Sequence, residues 1–254
     1  QSTYWQTLNA GAVKAGEEEN AKIFFTAAPG GGADVNGQID IMENLINQKV
    51  DGILLAASDT ESLVPVTEKA VNAGIPVVIV DCGLSTDVYS SFIATDNYNA
   101  AAIAAEELAQ KINGEGKVAV INYAPGMLTG SQREQGFRDA IGKYSDITLL
   151  ETQYYDNDVQ KALEITQNLL TSTPDLKAIY ATNEFGIVGA CRALMEKNKK
   201  DVPVYGFDFS DDVLPLLEQG YCQGTIVQKP YDMGYLGVKS LIDVINGKEV
   251  EKQV

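Results

Sequence analysis

Short apolar runs of about five to seven residues, rich in Val and Ile, alternate along this chain with stretches of helical period. Parallel strands are covered by helices on both faces, so they read as continuous apolar runs, and their alternation with helices marks βαβ units. The runs are 22–28 (KIFFTAA), 52–57 (GILLAA), 75–80 (IPVVIV), 117–122 (KVAVIN), 147–151 (ITLLE), 176–181 (LKAIYA), 203–207 (PVYGF) and 224–227 (GTIV). Between them, Ala101, Ala104, Ala105, Leu108 and Ile112 form one stripe of a 3.6-residue period, and Ile187, Val188, Cys191, Leu194 and Met195 form another. The fold class is therefore α/β.

The pattern repeats. AGIPVVIVD (73–81) and DVPVYGFD (201–208) are both Pro-led apolar runs ending in Asp, and VDGILLAASD (50–59) is echoed by PDLKAIYATN (174–183). Such pairs suggest two similar α/β halves, with NGEG (113–116) as a boundary between a helix and a strand. The turns Ser58-Asp59-Thr60, Thr182-Asn183-Glu184 and Asp208-Phe209-Ser210 carry residues that cap helices. They also follow strands, which is where open parallel sheets bind ligands.

Composition removes whole classes of function. With no His, there is no Ser-His-Asp or Cys-His machinery and no imidazole metal ligand. A net charge of −16, from 35 acidic and 19 basic residues, argues against binding a phosphate backbone. Three Cys, at 82, 191 and 222, permit at most one bridge. No apolar run reaches the ~18 residues of a membrane span, and QSTYWQTLNA lacks the regions of a signal peptide, which leaves the compartment open. Gly30-Gly31-Gly32 lacks the Lys and the spacing of a phosphate loop and reads as a turn. Glu17 to Glu19 and Asp211-Asp212 read as solvated helix ends, and no spacing fits a calcium loop.

The remaining candidates each have two readings. Asp81 and Asp208 end apolar strands and either cap the next helix or accept backbone N–H bonds, or else, as a symmetric pair, accept hydroxyl protons from a neutral polyol. Tyr4 and Trp5, expected in a loop leading into a helix, either join the core or stack on a sugar ring. Asn183 and Gln228 are turn residues or amides that complement hydroxyls, and Arg133 is a fork for hydroxyls or a salt-bridged side chain.

Taken in order, GIPVVIVD (74–81), FIATDNYNAAAIAAEEL (92–108), GSQREQGFRDAI (130–141), QNLLTSTPDLKAIYATNE (167–184), VPVYGFD (202–208) and GTIVQKPYDMGYLGVKSL (224–241) resemble the ribose-binding type of periplasmic sugar-binding proteins. These are the substrate-binding proteins of ABC transporters, and they share a fold with LacI-type effector domains. The resemblance spans almost the whole chain. It implies a type I periplasmic binding protein, with two Rossmann-like lobes of parallel sheet joined by hinge strands. Lobe one would hold 1–94 plus 230–254 and lobe two 95–229, with crossings near Ala94 to Asn97 and at Lys229 and Pro230.

The same resemblance assigns ligand binding to Tyr4, Trp5, Asp81, Ser131, Arg133, Asn157, Asn183, Asp208 and Gln228. Cys82 and Ser131 stand where ribose binders carry basic residues, and Asn157, or else Tyr154 or Tyr155, stands where an aromatic packs on the sugar. Losing two guanidiniums removes up to about ten donors, which points to a sugar or polyol other than ribose. Relative to the family, a first central strand and a last hinge strand are missing, so 1–254 is expected to be a portion of a longer chain.

The function implied is that of a non-enzymatic, monomeric solute-binding protein without cofactor or metal. It would close its lobes over the ligand and deliver it to a membrane ABC permease. It would work in the periplasm or at the cell surface, free or lipid-anchored. The rival readings are the effector domain of a LacI-type repressor, a receptor for a membrane sensor kinase and, last, a glycosidase using Asp81 and Asp208.

Overall fold

Every strand pairing in the computed structural model is parallel; the structure describes residues 3–29, 34–125 and 127–254. The turn expected at Gly30 to Gly32 lies outside the described residues. The chain divides into two compact units, Gln1–Thr95 with Lys229–Val254, and Asp96–Gln228.

The first unit opens with α1 (Thr3–Glu18), α2 (Val35–Gln48), β1 (Ile53–Leu55), α3 (Val64–Asn72), β2 (Val77–Val80) and β3 (Ser91–Ile93). The strands form a three-stranded sheet in the order β1-β2-β3. The second unit contains α4 (Asn97–Lys111), β4 (Glu115–Asn122), α5 (Leu128–Ile141), β5 (Asp146–Leu149), β6 (Gln153–Tyr154), α6 (Val159–Ser172), β7 (Leu176–Ala181), α7 (Glu184–Glu196), β8 (Val204–Phe207), α8 (Leu214–Glu218) and β9 (Cys222–Ile226). Its sheet runs β5-β4-β7-β8-β9, with β6 paired to the end of β4. The chain then returns to the first unit with α9 (Pro230–Ile245).

Burial on both faces explains why the strands carry no polar alternation. In β2 every residue is buried: Val77 and Ile79 face Met42, Leu63 and Val66 of the α2 and α3 layer, while Val78 and Val80 join Leu8, Met233 and Leu241 from α1 and α9. The second unit repeats this, with Val118, Val120 and Tyr180 packed among α4 and α5, and Ala119, Ile121 and Ile179 among α6 and α7. The helix stripes read from sequence are the buried faces of α4 and α7, except that Met195 is exposed.

The expected strand at 22–28 is not formed. Its backbone rows need a neighbouring strand, and among the described residues none pairs with it. Only Ile23 is drawn in, against Ala12, Ala15 and Val238, and Phe24 is left 69% exposed. At the other side of this sheet, Phe92 N–H donates to the Lys252 carbonyl and Val254 N–H to the Phe92 carbonyl, so the last residues run beside β3.

The acidic end of α1 is not simply solvated. Glu18 accepts from the Tyr235 hydroxyl at 2.6 Å and Glu19 pairs with Lys239, both on α9. The two helices touch backbone to backbone: a Cβ added at Gly11 would lie 2.0 Å from the Tyr231 carbonyl oxygen, and one at Gly234 would lie 2.0 Å from that of Leu8. Glycine is required there because any side chain forces the helices apart. Gly234→Ala is expected to destabilise the protein by about 1–3 kcal/mol in urea unfolding, and an unchanged midpoint would refute so close a contact.

Candidate functional site

Asp81 and Asp208 adopt the same posture at the ends of β2 and β8. Both have left-handed backbones, with φ of 65° and 73°. Each N–H donates to a carbonyl of the adjacent strand, Asp81 to Ile93 at 3.0 Å and Asp208 to Ile226 at 2.8 Å. For a non-glycine residue such a conformation costs about 1–3 kcal/mol, and Asp is among the residues that tolerate it best. The posture ends the strand without starting a helix. The capping alternative therefore fails for both acids: α3 precedes Asp81, and α8 begins after Val213 with no side-chain cap.

In the first unit, Asp81 Oδ1 accepts from the Tyr4 hydroxyl at 2.5 Å and Oδ2 from the Cys82 thiol at 3.1 Å. Tyr4 and Trp5 lie in the first turn of α1 rather than in a loop, because Tyr4, Leu8, Ala12 and Ala15 continue one helical stripe. Their rings meet edge to face, with centroids 5.2 Å apart at 86°, and both are half-buried. At the carboxyl end of β1, the Ser58 hydroxyl oxygen is buried with no hydrogen-bond partner among the described residues, while Gln38 holds the Ser58 N–H at 2.7 Å. In the turn that follows, the carboxylate of Asp59 accepts from the N–H groups of Glu61 and Ser62.

In the second unit, Asp208 Oδ1 accepts from Gln228 Nε2 at 2.5 Å, and Oδ2 lies 3.4 Å from Arg133 Nη1. Arg133 is buried rather than solvated. It donates from Nε to Asn97 Oδ1 and from Nη1 to the Thr182 carbonyl, both at 2.8 Å, and its guanidinium lies 4.2 Å from the centre of the Phe207 ring. Groups from the start of α4, the end of β7 and the end of β8 thus converge on one cation. The sequence marks Asn97 only as part of a crossing and Thr182 only as part of a turn, since neither an amide at a helix start nor a backbone carbonyl reveals its partner.

Asn183 does cap α7: its Oδ1 accepts from the N–H groups of Phe185 and Gly186 and from the hydroxyl of fully buried Tyr155 at 2.6 Å. Its Nδ2 donates to Asn157 Oδ1 at 2.6 Å, leaving one amide hydrogen to offer. Asn157 is exposed, with a left-handed φ of 59°, and Ser131 is exposed on α5. Of the aromatic alternatives to Asn157, Tyr155 is committed to Asn183 and Tyr154 is exposed. Burial pushes the Tyr155 hydroxyl well above its ordinary pKa, so it acts as a neutral donor.

Behind this face Glu134 gathers Asn122 Nδ2 at 2.9 Å, Thr152 Oγ1 at 2.5 Å and Arg138 Nε at 2.9 Å. Burial raises its pKa, but those three donors and the Arg138 charge outweigh that and hold the carboxyl below its usual range. Among the described residues no group of three Cys, Asp or Glu could hold a metal ion. The first unit presents a carboxylate with half-buried rings and the second a carboxylate with amides, groups whose chemistry suits the recognition of neutral hydroxyls.

A family model for the periplasmic binding protein domain matches residues 1–249. The chain belongs to that family. The ribose import binding protein of Haemophilus influenzae is 30% identical over 99% of this chain and 84% of its own length. The D-allose-binding periplasmic protein of Escherichia coli is 29% identical over 94% and 80%. Among solved structures, an ABC transporter solute binding protein from Agrobacterium vitis with bound D-fucose superposes with a TM-score of 0.92 and 36% identity, covering 100% of this chain and 89% of that one. A carbohydrate transporter solute binding protein from Agrobacterium radiobacter in complex with D-arabinose gives 0.91 and 34%, covering 100% and 88%. These relatives are binding proteins of import systems rather than enzymes, and they favour the transport reading over the repressor one.

Two outcomes test the second unit. Arg133→Lys keeps the charge but not the fork, and is expected to cost about 2–3 kcal/mol in urea unfolding. Glu134→Gln is expected to destabilise at neutral pH. Because the folded carboxyl has the depressed pKa, its contribution is present above the unfolded value and lost as pH falls through the folded one. The gap between wild type and variant should therefore close on acidification; a gap that persists in acid would refute the assignment.

Proposed function

We propose that this chain binds a monosaccharide or related polyol outside the cytoplasm and hands it to the membrane permease of an ABC importer. The observation that carries this reading is the matched pair of strand-end acids. Each is held by two protein donors, and each carboxylate keeps lone pairs for ligand hydroxyls. Tyr4 and Trp5 are proposed to offer ring faces to the apolar side of the sugar, while Asn183 and Gln228 orient its hydroxyls. Arg133 is proposed to position Asp208, and Ser131 and Asn157 to line the ligand's approach. The relatives that carry D-fucose and D-arabinose make pentoses and 6-deoxyhexoses the first candidates. Cys82 beside Asp81, in place of a cation, argues against ribose. The protein is proposed to act as a monomer, either free or lipid-anchored.

Calorimetry with a panel of pentoses, 6-deoxyhexoses, hexoses and polyols is expected to find at least one ligand with a Kd below about 100 μM. Asp208→Asn and Trp5→Ala are each expected to weaken that binding tenfold or more. A panel without a binder would overturn the proposal.

A further inference from the structure

Two thiols of the second unit remain outside the sugar-recognising groups. Cys191, in the middle of α7, and Cys222, at the start of β9, are both buried, at 0% and 2% exposure, and they belong to one apolar cluster with Ile187, Val188, Val202 and Val204. Their side chains are in hydrogen-bond contact, and the Cys222 thiol in turn faces the Gly224 carbonyl at 3.5 Å. Two thiols in contact within one apolar core, on elements far apart in sequence, are candidates for a bridge.

We propose that Cys191 and Cys222 form an intramolecular disulfide that ties α7 to β9. The oxidant is a small-molecule disulfide of the oxidised glutathione class. The Cys222 thiolate attacks one of its sulfurs, forming a mixed disulfide and releasing one glutathione thiol. The Cys191 thiolate then displaces the second glutathione, so two cysteine thiols give up two electrons and two protons to one disulfide. Cys222 attacks first because it lies on β9, whereas Cys191 is fully buried in α7. Access is through β9, the last strand of its sheet, which opens more readily than a central one. Cys82 takes no part, being engaged with Asp81 in the other unit. The bond would lie at the opposite end of β9 from Gln228, locking the strand while leaving its ligand-recognising end unchanged.

The test needs no sugar, so its failure is separate from failure of the transport reading. The full chain is incubated with oxidised glutathione, once as the native protein and once during refolding from urea, and then alkylated with a maleimide after unfolding. Labelling is expected to fall from three thiols to one, at Cys82, with a peptide pair joining Cys191 to Cys222. Cys82→Ser should take no label, and reductant should lower the thermal midpoint of wild type but not of Cys191→Ser. Three labelled thiols under both conditions, glutathione retained on either buried cysteine, or a bridge to Cys82 would overturn the proposal. A bridge formed only during refolding supports it, because the buried pair then closes before the core seals.

Discussion

Strands that all run one way deliver their last residues to a single edge of their sheet, and everything chemical in this protein follows from that constraint. In a parallel sheet no hairpin can turn polar residues back to the other edge. Ser58 and Asp81 are therefore gathered at one end of the first sheet, and Asn122, Thr182, Asn183 and Asp208 at one end of the second. The helices that cover the sheets cannot contribute comparably, because their inward faces are spent on apolar contact with β2, β4 and β7. What they add comes from their ends: Tyr4 and Trp5 in the first turn of α1, and Arg133 near the start of α5.

Within that arrangement the second unit solves a problem the first does not have. A guanidinium is buried beside Asp208, and an uncompensated charge there would be prohibitive. An acid, an amide, a carbonyl and a ring face answer it, and each of these also fixes its own strand end or helix start. Asp208 is thereby pre-aimed by a cation it must neutralise. Among the described residues no cation pairs with Asp81, which is aimed instead by a phenol and a thiol. The two acids share a backbone posture but sit in different fields, so they are unequal acceptors despite the internal repeat.

Much of this was legible in the residues. Continuous apolar runs gave the parallel strands because burial on both faces leaves no other pattern, and the Pro-led runs ending in Asp marked both acids through the repeat. The failures are equally physical. The run at 22–28 has a strand's composition, but composition cannot supply the partner a ladder needs, and Phe24 shows the result. Tyr4 and Trp5 looked like loop residues because a helix's first turn carries no apolar neighbour before it to complete the stripe. Asn97, Thr182 and Tyr155 could be named only as a hinge residue, a turn residue and an aromatic alternative, because their importance lies in what they touch, and an amide, a hydroxyl and a phenol at such spacings have many ordinary uses.

The backbone contact between α1 and α9 joins segments from opposite ends of the chain, and this makes the two units unequal in time. The second unit is one uninterrupted stretch, so it holds all it needs to fold once β9 has emerged. The first lacks α9 until the final residues are available, and until then Leu8, Val78 and Val80 have no cover from Met233 and Leu241. A form in which α9 has not yet docked leaves one face of the first sheet open and apolar.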